Sequence, residues 1–181
     1  MAICNALSAG LDKSCESNAG GVNKIFVTDF DNVTGFTVGA ATAPQTGNWL
    51  DAITMAGATK FWEVKTNKNV CNFTESVAID LANGTTFFNQ VVTLELTRRE
   101  TTKRTFIEKL IDGQKPLRLI VLDSNGNYWL FGYNEGSYVS AIEGGSGTAK
   151  ADKNGYTVTF TAMEPLQAFQ VDPTIVSAIV A

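Results

Sequence analysis

Apolar and polar residues alternate with period two along most of the chain after Lys60, the pattern of strands with one face buried. Phe61, Glu63 and Lys65 alternate with Trp62, Val64 and Thr66. In the next strand Val77, Ile79 and Leu81 fall on one face and Ser76, Ala78 and Asp80 on the other, and Asn83-Gly84 supplies a turn. The stretch Phe87–Leu96 puts Val92, Leu94 and Leu96 on one side and Val91, Thr93 and Glu95 on the other. Tyr156, Val158, Phe160 and Ala162 alternate with threonines up to Met163, where Glu164-Pro165 ends the strand. Gln167–Val171 predicts a short last strand, and Lys24–Thr28 a first one, closed by the turn-prone run Asp29-Phe30-Asp31-Asn32.

The period changes once. Over Glu100–Asp112, Phe106, Ile107, Leu110 and Ile111 form one stripe of an amphipathic helix of about residues 101–112. Thr101 or Thr102 suits its N-cap, Gly113 its C′ position, and Pro116 prevents continuation. Two Asn-Gly pairs, Asn125-Gly126 and Asn154-Gly155, predict tight hairpins with positive φ at both central residues. Residues 1–24 lack periodicity and read as an arm. Residues 25–181 read as a single β-rich domain with a long loop at 35–58, holding one helical turn near Trp49–Met55. The apolar tail Ser177-Ala-Ile-Val-Ala181 reads as a segment that packs on the body. Seven to nine strands, hairpin links and no βαβ rhythm predict a mainly β fold: an antiparallel sandwich or barrel closed by one main helix.

Composition narrows the function. With 44% apolar and 18% charged residues in 181, the chain has enough apolar surface to fold as one domain. It contains no histidine, which excludes imidazole-based triads and zinc sites built on histidine, and no enzyme activity is expected. The net charge of −4 argues against a nucleic-acid binder driven by a positive field. No apolar run approaches a membrane span, and the N-terminus lacks the basic start and apolar core of a secretory signal. Cys4, Cys15 and Cys71 are either three free thiols, with Cys71 a small buried hydrophobe, or a Cys4–Cys15 loop plus one thiol.

Motif-like stretches carry little chemistry. Gly144-Gly-Ser-Gly147-Thr-Ala-Lys150 lacks both the spacing of a phosphate loop and a following helix. Asp123, Asn125 and Asn127 imitate a calcium loop, but Tyr128 and Asn134 stand where that motif needs Gly and Glu, so a hairpin turn is expected. No pair stands out among Glu63, Glu75, Asp80, Glu95, Glu135, Glu143 and Glu164. Arg98, Arg99, Lys103, Arg104 and Lys109, offset by Glu100 and Glu108, read as a solvated helix face. Asn32, Asn72 and Asn83 head chance sequons. Trp49, Trp62, Trp129, Tyr128, Tyr133 and Tyr138 form either core and interface packing or a sugar-stacking platform. Catalytic, cofactor-binding and metal residues are therefore none. Strands with Thr-rich second faces, an apolar tail and a loop-rich arm suit a subunit that assembles with copies of itself.

The order of a long hairpin, a helix and further hairpins over Phe87–Val171 resembles the tail tube (major tail) proteins of tailed bacteriophages and related injection machines. The carrying segments are TFFNQVVTLELTRR, TTKRTFIEKLIDG, PLRLIVLDSNGNYWLFG and DKNGYTVTFTAMEP. The resemblance covers the C-terminal half to two-thirds of the chain. It implies hexameric rings stacked into a tube, a continuous inner barrel and double-stranded DNA passing through the lumen without specific binding. It also implies other tail proteins as partners, no membrane, and assembly in the host bacterial cytoplasm into the virion. On that reading Phe87–Leu96 and Val77–Leu81 are lumen or inter-subunit elements, and residues 1–24 and 35–58 make ring-to-ring contacts. Another β-rich virion protein (a head–tail connector or decoration protein) and a carbohydrate-binding β-sandwich module are the alternative readings.

Overall fold

The computed structural model describes residues 15–39, 48–67 and 70–181. It is mainly β, with two sheets packed face to face and two short helices. In chain order the strands are β1 (Val22–Asp29), β2 (Val33–Val38), β3 (Trp49–Met55), β4 (Trp62–Val64), β5 (Asn72–Asp80) and β6 (Thr85–Thr97). After helix α1 (Thr101–Ile111) come β7 (Leu117–Asp123), β8 (Tyr128–Phe131), β9 (Tyr138–Gly145), β10 (Gly155–Glu164) and β11 (Phe169–Val171), then α2 (Pro173–Ile179). The strands outnumber the expected seven to nine, and a second helix joins the one predicted.

The larger sheet has the order β2-β3-β11-β8-β7-β1-β4, all antiparallel except β11 on β3. β1 and β2 hold its sixth and first places, yet only the single 3-10 turn Phe30–Asn32 joins them. A flat sheet would hold them about 24 Å apart, and the linking residues reach only about 14 Å. The sheet must therefore roll. α2 lies over the gap, with Asp172 capping Thr174 N at 2.8 Å, and Val176 and Ile179 buried. The tail then bridges Phe61 through Val180, so the expected packing tail is a helix plus one bridge.

The smaller sheet has the order β5-β6-β10-β9 and is wholly antiparallel. Its inner face supplies Val92, Leu94, Leu96, Val158 and Phe160 to a core shared with Ile25, Val27, Leu119, Val121 and Phe131 of the larger sheet. α1 closes one side of this core with Ile107 and Leu110. A second core inside the rolled sheet joins Phe26, Leu50, Ile53, Phe61, Ile120, Leu130 and Phe169 to α2.

Several local expectations change. The 35–58 loop contains most of β2 and all of β3, so Trp49–Met55 is a strand and not a helical turn. The register slips between Thr37 and Val38, leaving Asp51, between Ala52 and Leu50, as an extra residue opposite that step. That bulge spaces the buried Leu50 and Ile53 by three, which imitates helical periodicity. α1 begins one residue after Glu100, whose side chain makes no cap bond; neither Thr101 nor Thr102 is the cap. Arg98 turns there with φ 62°, and Lys103 Nζ reaches back to the carbonyls of Thr97 and Arg98. Gly113 does take positive φ (68°) after the helix.

The first Asn-Gly pair closes the expected β7–β8 hairpin but without positive φ at both residues, and the second forms no tight turn. At the first, only Gly126 has positive φ (88°). At the second, Gly155 opens β10, and a Cβ there would lie 2.1 Å from Leu96 O. Glycine is needed at that point for close strand approach and not for a left-handed turn.

Candidate functional site

Among the described residues, no strand pairs with the outer edge of β5 or of β9, so the small sheet is open on both sides. The β5–β6 ladder continues to Asp80↔Thr85, whereas the β6–β10 ladder stops at Phe88↔Glu164. The end of the hairpin therefore projects past its own sheet. Cross-strand partners share a face, so Val77 and Ile79 lie on the inner side, with Phe88, Val92 and Leu94. At the projecting end no described residue covers that side: Val77, Ile79 and Leu81 are 49%, 61% and 92% exposed. The opposite edge has its own exposed apolar groups, Ile142 on the inner side of β9 and Ile111 at the end of α1. Exposed apolar groups gathered at two unpaired edges are the mark of an association surface.

The outer face is different. Thr93 and Glu95 of β6, Thr157, Thr159 and Thr161 of β10, and Glu143 of β9 lie on it. Lys153 pairs with Glu95 at 2.8 Å. The middle of the face is hydroxylated, with carboxylates, and toward the projecting end it exposes Tyr138, Met163 and Phe87.

At the base of the hairpin, the buried Gln90 and Glu164, with the exposed Glu75, tie it to the crossovers between sheets. Gln90 Nε2 donates to Glu75 Oε1 at 3.2 Å and to Leu166 O at 3.3 Å, and Gly132 N donates to Gln90 Oε1 at 3.4 Å. Ala168 N donates to Glu75 Oε1 at 2.7 Å. Glu164, almost fully buried, accepts from Asn134 N and Glu135 N at 3.0 Å. Burial pushes its carboxyl above the ordinary glutamate value; the amides of Glu135, Asn134 and Gly136 oppose this, and the Glu135 carboxylate adds to it.

A raised folded-state value means that the native state holds this proton more tightly than the unfolded chain does. Stability from this group is full below the ordinary value and falls as pH rises through the raised one. Glu164→Gln keeps an acceptor and removes the titration. Its melting temperature relative to wild type should climb from about pH 4 to about pH 7. Parallel curves in differential scanning fluorimetry would show that Glu164 is not the titrating group.

The sequence-level candidates disperse. Thr148 N and Ala149 N donate to Asp152 Oδ2 at 2.7 Å, so the glycine-rich loop closes on its own carboxylate, which these bonds hold below the usual range. Asp123 accepts from the amides of Asn125 and Asn127 at 2.8 Å and from Trp129 Nε1 at 3.1 Å, as the hairpin turn requires. Among the described residues no group of three His, Cys, Asp or Glu side chains is placed to hold a metal. The basic cluster is paired on its own surface: Arg98–Glu100 at 2.9 Å, Arg104–Glu108 at 3.1 Å, and Arg99 5.4 Å from the Tyr156 ring centroid.

The aromatics lie apart. Tyr133 packs between Phe36 and Phe169, Tyr128 against Phe26, and Trp129 on the inter-sheet core, while Trp62 and Tyr138 are exposed on different sheets. Cys71 is buried and accepts from Glu95 N at 3.4 Å, and Cys15 is exposed; Cys4, and with it the Cys4–Cys15 pairing, lies outside the described residues. So do most of the 1–24 arm and residues 40–47 of the expected loop. No described helix is long and apolar enough to cross a membrane. Sequence reasoning missed Ile111 and Ile142 as edge groups, and Gln90 and Arg118 as buried ones.

Comparison of the chain with protein-family models, with curated proteins and with solved structures gave no match.

Proposed function

We propose that this chain is a structural subunit that polymerises through its four-stranded sheet, as a virion tail tube protein does. The observation that carries the reading is that both sheet edges are open and expose apolar groups on the same, inner side. The strand count favours it too. With four antiparallel strands, β5 and β9 run in opposite senses. A rotation that carries one copy onto the next preserves each sense, so β9 of one copy meets β5 of its neighbour antiparallel. The sheet then continues without interruption, and each edge strand gains a partner.

Six such copies would close a ring, and stacked rings would form a channel for genome delivery. The outer face of the sheet, with its threonines and Glu95 and Glu143, would line the lumen. A hydroxylated wall on which Lys153 is already paired with Glu95 gives duplex DNA few free cations to displace its counterions, so DNA slides with little sticking. The other partners on this reading are tail proteins at the ends of the tube, and the protein resides in the virion.

Negative-stain electron microscopy over a concentration series, with and without reductant, tests the reading. The expected result is rings or tubes with a lumen of at least about 20 Å, enough for a duplex. Small monodisperse particles at every concentration would overturn it.

A further inference from the structure

We infer that the inner-side row Val77-Ile79 of one copy seats in the cleft between α1 and β9 of the next. This rests on the self-assembly reading and names the surfaces that meet. The cleft has a volume of about 390 Å³ and is lined by Leu110, Ile111, Gln114, Lys115, Tyr138 and Val139. It opens beside the free edge of β9, on the opposite side of the small sheet from β5. The occupant is a second copy of this chain, and three features of the molecule select it.

The first is strand length. β5 has nine residues and β9 eight, so each can cover the other.

The second is stagger. Through the ladders, the middle of β9 lies level with Leu94 of β6 and the middle of β5 level with Asn89, five residues apart. To face β9 squarely, the neighbour's β5 slides by about 17 Å along the strands while it moves sideways by four strand spacings, about 19 Å. Those two displacements tilt the strands by about 40° from the ring axis, within the range of closed barrels. Each copy then spans about 26 Å of circumference, so six copies give a barrel about 49 Å across. In that alignment Ile79 arrives at Tyr138 and Val139, the β9 wall of the cleft, and Val77 beside Ser140.

The third is charge. β5 carries Glu75 and Asp80 and no cation, and the cleft rim carries Lys115.

The test is a cross-link. Ile79→Cys and Ile111→Cys are combined in a chain that also carries Cys4→Ser and Cys15→Ser, leaving only the buried Cys71 of the native thiols. A short bis-maleimide is added to the assembled protein and the products are resolved on a denaturing gel. A ladder of covalent oligomers rising to the ring size is expected. Ile79→Cys with Ser177→Cys on α2 should give no ladder. Assembled particles without a ladder, or a ladder ending at dimer, would overturn the seating but leave self-assembly standing. A protein that never assembles at any concentration would remove both.

Discussion

Replacing Val77 and Ile79 together by Asp should abolish assembly and leave the monomer folded. Both side chains are about half exposed or more on the projecting part of the hairpin, so neither contributes much to the subunit's own core. Their ladder partners are Phe88 and Thr86, and only Phe88 offers apolar contact. The midpoint of chemical denaturation should therefore shift by no more than about 0.5 kcal/mol equivalent. At a contact between copies the same change removes two apolar groups and asks two carboxylates to lose water. Each contact should weaken by at least about 4 kcal/mol, or roughly a thousandfold. Val77→Thr with Ile79→Thr keeps the β-branched shape without a charge, and should weaken each contact by about ten- to thirtyfold. Sedimentation velocity over a concentration series reads both effects. Unchanged assembly of the double Asp variant would show that copies meet elsewhere.

The period-two pattern placed the two central strands of the small sheet, β6 and β10, because each buries one face, whereas β9, which buries neither, was not predicted. Val92, Leu94 and Leu96 are buried as their spacing predicts, and so are Val158, Phe160 and Ala162. The same pattern could not say that Val77 and Ile79, equally regular, stand beyond the core. Alternation reports which face a residue is on, not whether anything lies opposite it. β3 was hidden for another reason: its bulge spaces Leu50 and Ile53 by three. Gly155 was misplaced because Asn-Gly signals a turn only when no neighbouring strand needs the same glycine for close approach.

Buried polar residues were the least legible. Glu164 looked like any strand carboxylate, and Gln90 like any surface amide. Their partners are backbone amides and carbonyls in crossovers far away in sequence, and those do not show in residue identity. Arg118, a charge inside the apolar run LRLIVL, was the one visible sign.

Arg118→Ala should cost about 3–5 kcal/mol. Its guanidinium is nearly fully buried and spends its donors on backbone alone. Nη1 donates to Phe30 O at 2.6 Å and Val33 O at 3.0 Å, Nε to Gly132 O at 3.2 Å, and Nη2 to Tyr133 O at 3.1 Å. The first two acceptors lie at the corner where the large sheet rolls from β1 into β2. The other two begin the crossover from β8 to β9, whose next amides, those of Asn134 and Glu135, are held by Glu164. One cation and one carboxylate thus fix the carbonyls and the amides of the same turn, and the cation also holds the β1–β2 corner of the large sheet. The Phe30 ring centroid is 3.6 Å from the guanidinium carbon and that of Phe36 4.9 Å, adding cation–π attraction in a place with little water. Burial lowers the pKa of Arg118, and the charge on Glu164 opposes that shift. Truncation leaves four carbonyls with a lost donor and a cavity between two aromatic rings. Arg118→Lys keeps the charge but cannot span four acceptors with one ammonium, and should recover only about half of the loss. Urea denaturation of the three proteins reads the series. A loss below about 1 kcal/mol for Arg118→Ala would mean that the two crossovers hold their shape without the cation.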